Sequence, residues 1–111
     1  MTNQSTPIIS HHNALVSFDN FKDDIKSLRS FADIIVKSLS LNVVNEISHS
    51  FRPTGKTLVY ILSQSHLVLH TWPEYKLIHL DLVSCKKLSE KDFKNALDFT
   101  FTNKKNYRIK I

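Results

Sequence analysis

The sequence predicts an α+β fold: a two-layer sandwich in which an antiparallel sheet carries two helices on one face. Three observations predict it. An apolar run is followed by one strongly amphipathic helix pattern. The hydrophobic period then shortens from helical to alternating over four successive segments. A second, serine-capped helix pattern and a short final strand close the chain. The resulting order β-α-β-β-β-β-α-β suits helices segregated to one side of a sheet. At 111 residues, with 41% hydrophobic and 23% charged residues, one domain of ordinary globular composition is expected, large enough to fold without disulfides or a metal.

The first strand is expected over Asn13–Phe18 (NALVSF). Asp19 or Asn20 then offers a side-chain oxygen to the free N–H groups of a first helical turn. Phe21, Ile25, Leu28, Ala32, Ile35 and Leu39 recur at spacings of four and three, which makes one apolar stripe. Asn42–Phe51, Lys56–Gln64, His66–His70 and Tyr75–Cys85 are rich in Val, Ile, Leu and aromatics with polar residues interleaved, and read as strands. Arg52–Gly55 and the Thr71-Trp72-Pro73-Glu74 corner divide them. The break at Gln64–Ser65 is weaker, so the two middle strands could be nearly continuous, whereas direct reach between Ser65 and His70 would require a break there. Ser89 caps a second helix over Glu90–Phe99, and Asn106–Ile111 is an edge-like last strand. Met1–Ser10, without a basic region or a long apolar stretch, is expected to be a short disordered lead rather than a signal segment.

Ile78, Leu80 and Leu82 fall on one face of their strand, and Leu77, His79, Asp81, Val83 and Cys85 on the other. Apolar residues on both faces leave neither comfortable in water, so a second subunit is expected over the helix-free face. The expectation is a homodimer joined through or beside the sheet. The net charge is +5, with lysines clustered around and after the second helix. No nucleic-acid motif accompanies them, so they read as a solvated face and no nucleic-acid partner is expected. No run approaches a membrane span, and one cysteine builds no internal disulfide, which together suggest the cytoplasm.

The chemistry concentrates in Leu62–Lys86. His66 and His70 have the spacing that pairs two imidazoles on a helix. On the extended chain expected here they lie about 13 Å apart at ~3.3 Å per residue, so no metal site is predicted. Ser65 lacks the glycines of a nucleophile elbow, and Cys85 taken alone reads as a small buried hydrophobe.

The run S-Q-S-H-L-V-L-H-T-W-P-E (63–74), followed by D-L-V-S-C (81–85), closely resembles the bacterial and archaeal S-adenosylmethionine decarboxylase proenzymes. Phe51, Pro53 and Gly55 sit where that family has its upstream F-x-P-x-G. The resemblance implies a self-cleaving, pyruvoyl-dependent decarboxylase serving spermidine synthesis, with a small-molecule substrate. Ser65 would attack the Gln64 carbonyl in an N-to-O acyl shift and become the pyruvoyl group that forms a Schiff base with the substrate. His70 would take the proton of the elimination step, and Cys85 would return a proton to the α-carbon of the product. The chain would be cut between Gln64 and Ser65, giving fragments 1–64 and 65–111. No metal and no pyridoxal phosphate would be required. Phe51, Trp72 and Glu74 would bind substrate, and Thr57 would support processing.

The chain departs from the pattern at three places. Gln64 replaces a glutamate, Lys86 replaces the glycine after the cysteine, and Thr57 replaces a serine. The first two put substrate identity and the aim of Cys85 in question. Two other readings stay open: a pyruvoyl enzyme acting on arginine or ornithine, and an unprocessed regulatory homologue. Ser65 and His70 are an odd number apart, so on one straight strand they would face opposite ways.

Overall fold

A computed structural model describes residues 6–111. Six strands form one sheet in the order β2-β3-β4-β5-β1-β6, and every neighbouring pair is antiparallel. The strands are β1 (Ser10–Ser17), β2 (Val43–Ser50), β3 (Lys56–Leu62), β4 (Ser65–Trp72), β5 (Leu77–Ser84) and β6 (Arg108–Lys110). The helices are α1 (Ile25–Ser38) and α2 (Glu90–Phe101), and a 3-10 turn spans Pro73–Tyr75.

Period-two alternation sorts the sheet into two unlike faces. Ala14 and Val16, Leu58, Tyr60 and Leu62, Leu67 and Leu69, and Ile78, Leu80 and Leu82 are buried beneath the helices. They meet Leu28, Phe31, Ala32, Ile35 and Val36 of α1 and Phe93, Ala96, Leu97 and Phe101 of α2. The opposite face carries Leu77, His79, Asp81 and Val83, each half-buried, and on β2 and β3 the exposed Ile47 and Ile61. The expected fold class and the expected pairing of faces are both present. Among the described residues no helix is long and apolar enough to cross a membrane.

Several boundaries differ from expectation: β4 runs on to Trp72, β5 begins at Leu77, and β6 is confined to Arg108–Lys110. The N-cap of α1 is Asp24, whose side chain accepts the Ser27 N–H at 2.6 Å, and not Asp19 or Asn20. Asn20 turns the chain with φ 60°, and Asp19 is engaged elsewhere, accepting from the Asn106 side chain. Phe21 therefore packs on Phe18 from irregular chain rather than from a helical stripe. β3 and β4 are not continuous: Leu62 pairs with Ser65 across a two-residue hairpin in which Gln64 is left-handed, φ 62°. β1 starts at Ser10, earlier than expected, and the Ser10 hydroxyl accepts the Leu88 N–H at 3.0 Å. Of the lead expected to be disordered, residues 1–5 lie outside the described residues. Finally, α2 runs to Phe101 because Thr100 and Phe101 are still buried against the core.

Candidate active site

The residues singled out by the sequence assemble into two groups at opposite ends of the sheet. Ser65 shares the strand parity of the helix-facing Leu67 and Leu69, and His70 that of the helix-free face. The first group surrounds the β3–β4 hairpin. Ser65 opens β4, and its hydroxyl donates to the Ser63 carbonyl at 3.3 Å. The Cys85 thiol, exposed just past the end of β5, lies 3.8 Å from the same carbonyl oxygen. One backbone acceptor thus gathers the hydroxyl and the thiol. Gln64, between them, holds a left-handed backbone that costs a non-glycine residue about 1 kcal/mol. The strain sits on the residue whose carbonyl Ser65 would attack.

Lys86 leaves Cys85 in this position. Its side chain turns to the helix layer and donates to the Leu39 carbonyl at 2.9 Å, where a cation stabilises the C-terminal end of α1. Its backbone N–H donates to the Ser84 hydroxyl at 3.0 Å. The bulk that replaces a glycine is therefore directed away from the thiol.

The second group lies at the far end of β4. His70 Nδ1 and the Thr57 hydroxyl share a 2.5 Å hydrogen bond across the β3–β4 ladder. The His70 ring stands edge-on between Phe51, 5.7 Å away, and Trp72, 4.8 Å away. A cavity of about 210 Å³ opens here, lined by Phe51, Gly55, His70, Trp72, Pro73 and Glu74. Aromatic rings on two walls and one carboxylate suit a flat, partly cationic molecule. A larger cavity, about 570 Å³, lies on the helix layer between Leu39 and Phe99 and touches neither group.

Five residues of extended chain separate Ser65 from His70, about 16 Å at ~3.3 Å per residue. The structure brings Ser65 to Cys85, and His70 to Thr57, Phe51, Trp72 and Glu74. Within one chain it does not bring the two groups together.

Two features escaped the sequence reading. The Ser63 carbonyl is a backbone atom and carries no signal in residue identity. Strand register places His11, His49, His66, His70 and His79, five of the six histidines, on the helix-free face. Asp81 stands among them, 2.7 Å from His11 and 3.9 Å from His66. The alternating parity of each strand would have revealed this row. Among the described residues no three His, Cys, Asp or Glu side chains converge on a metal position.

Residues 16–110 match the S-adenosylmethionine decarboxylase family. The chain belongs to that family. Similar curated proteins include the S-adenosylmethionine decarboxylase proenzymes of Archaeoglobus fulgidus and Persephonella marina. The first is 37% identical over 73 residues, covering 64% of this chain and 65% of the relative. The second is 34% identical over 94 residues, covering 85% and 68%. The chain thus spans about two thirds of the length of the curated relatives it matches. The crystal structure of the adenosylmethionine decarboxylase from Aquifex aeolicus superposes with a TM-score of 0.68 at 23% identity, over 96% of this chain and 89% of that one. At that identity the likeness speaks for the fold, and the fold agrees.

Proposed function

We propose that this S-adenosylmethionine decarboxylase family member cleaves itself between Gln64 and Ser65 and decarboxylates S-adenosylmethionine as a homodimer. The observation that carries the reading is the convergence of Ser65 and Cys85 on the Ser63 carbonyl, beside the left-handed Gln64. Ser65 attacks the Gln64 carbonyl, the peptide becomes an ester, and elimination followed by hydrolysis leaves a blocked fragment 65–111 with release of ammonia. The residues present fit a pyruvoyl group at position 65, at a hairpin tip with a thiol alongside. Such a group supplies a carbonyl that captures the substrate amine and delocalises the electron pair left when carbon dioxide departs. Cys85 then delivers the proton to the substrate's α-carbon.

The distance between the two groups supports the dimer. Processing needs a base near Ser65, and substrate needs walls around the reacting carbonyl, yet His70 and the aromatic cavity lie about 16 Å away along β4. A second copy stacked on the helix-free face in the opposite sense would set its Phe51–His70–Trp72 corner over this copy's hairpin. It would also cover the half-buried apolar side chains of that face. Aromatic walls favour the adenine-bearing substrate over arginine or ornithine.

Intact-mass analysis of purified protein should find fragments of 64 and 47 residues, the smaller one blocked to Edman sequencing. Release of labelled carbon dioxide should occur from S-adenosylmethionine and not from arginine or ornithine. A stable single chain would instead mark an unprocessed regulatory homologue.

A further inference from the structure

Asp23 lies between β1 and α1, one residue before the helix cap, and it is neither a cap nor a cavity residue. Its carboxylate is mostly buried, 17% exposed, and accepts three hydrogen bonds from two other parts of the chain. Oδ2 accepts the Gly55 backbone N–H at 2.9 Å and lies 3.4 Å from the Lys56 ammonium. Oδ1 accepts the Thr71 hydroxyl at 2.6 Å. Thr71, only 1% exposed, in turn accepts the Lys56 backbone N–H at 2.8 Å.

Of these donors, Gly55 and Thr71 line the cavity themselves and Lys56 adjoins it in sequence. Gly55 closes the turn that begins at Phe51, whose N–H donates to the Gly55 carbonyl at 2.8 Å, and Gly55 needs φ 105° to do so. Thr71 sits between His70 and Trp72, pointing to the helix layer while both rings point to the other face. One carboxylate therefore ties the Phe51 turn to the His70–Trp72 strand end from behind the sheet.

We infer that Asp23 is a positioning residue that sets the gap between Phe51 and the His70–Trp72 wall, and so governs affinity for the flat part of the substrate. The inference rests on the decarboxylase reading for its substrate, but not for its geometry. Asp24 already caps α1, so the helix start does not require Asp23. The hydrogen bonds it accepts are the strong, charge-assisted kind, and losing it leaves Thr71 and the Gly55 N–H without that acceptor.

The test compares Asp23→Ala and the gentler Asp23→Asn with the parent protein, using two readouts. Trp72 is the sole tryptophan, so its quenching by acrylamide reports the cavity wall without any substrate. The alanine variant should be quenched more readily, and its KM for S-adenosylmethionine should rise about tenfold with kcat changed far less. Thr71→Val should reproduce both effects, add little to Asp23→Ala, and be rescued by Thr71→Ser. Unchanged quenching and unchanged KM in Asp23→Ala, even with a lowered thermal midpoint, would overturn the inference. If the parent protein released no carbon dioxide from S-adenosylmethionine, the decarboxylase reading would fail. Greater Trp72 quenching in Asp23→Ala would then still uphold the positioning role.

Discussion

The two ends of the sheet where the candidate site residues gather are built by different physics. At the hairpin end the chain is exposed and backbone-controlled: one carbonyl organises Ser65 and Cys85, and a left-handed Gln64 stores strain. At the far end the groups are held by side chains: Thr57 fixes His70, two aromatic rings flank it, and Asp23 ties the wall from behind. A hairpin tip can be cut without disturbing the core, because Leu62 and Leu67 on either side remain buried and paired. At the far end, side-chain hydrogen bonds across three segments hold the cavity wall in shape. Under the proposed function, bond-breaking and recognition would fall at separate ends of one chain, and a second copy would join them.

The largest effect expected is at the hairpin. Ser65→Ala should abolish cleavage entirely and leave the 111-residue chain intact by mass, with no decarboxylation. Cys85→Ala should still cut, yet lose ~10²–10⁴-fold in turnover, the usual contribution of a positioned proton donor. His70→Ala should accumulate uncut chain, or an ester that hydroxylamine cleaves. Full activity in Cys85→Ala would move the proton donor to another group, with His79 the next to test.

Co-expression decides whether the two ends meet across subunits. Ser65→Ala chains keep His70, and His70→Ala chains keep Ser65. Mixed dimers should therefore rebuild one complete site, and only the His70→Ala chains in them should be cut. Differently tagged chains and mass analysis would read this directly. Absence of any cut chain would return the whole site to one subunit. In the same vein Val83→Asp, a charge placed on the helix-free face, should weaken dimerisation and activity together, as sedimentation and the carbon dioxide assay would report.

Smaller effects should appear at Asp23 and Gln64. Burial alone would raise the Asp23 carboxyl, but the hydrogen bonds from Thr71, Gly55 and Lys56 and the nearby Lys56 charge outweigh it, leaving it below the ordinary value of 3.8. Because the folded value is depressed, its stabilising contribution is complete above that ordinary value. It is lost as pH falls through the lower folded value. Thermal midpoints followed downward from pH 5 should fall less steeply in Asp23→Asn than in the parent. Gln64→Gly, made in the uncut Ser65→Ala background, should raise stability by about 1 kcal/mol by relieving the left-handed turn. Denaturant unfolding would measure it.

Much of this protein was legible in its residues. Alternation in Leu77–Ser84 revealed two apolar faces, and the stripe through Leu28, Ala32 and Ile35 located the helix layer. The Ser-Gln-Ser-His and Thr-Trp-Pro-Glu strings pointed to the family to which the chain belongs. Helix entry was less legible, since Asp19, Asn20, Asp23 and Asp24 are all competent caps. Only the path of the chain selects Asp24.

By itself the sequence determined the fold class and the family, and it supplied the residues for which a role is proposed. Hydrophobic period and residue chemistry are local properties, readable within a few positions. Tertiary structure alone decided which groups share an end of the sheet. Strand rise carries His70 away from Ser65 despite their nearness in sequence, and the fold brings Asp23 to Gly55 and Thr71 from 32 and 48 positions away. Register and chain path fix those distances, and neither is written in any single segment.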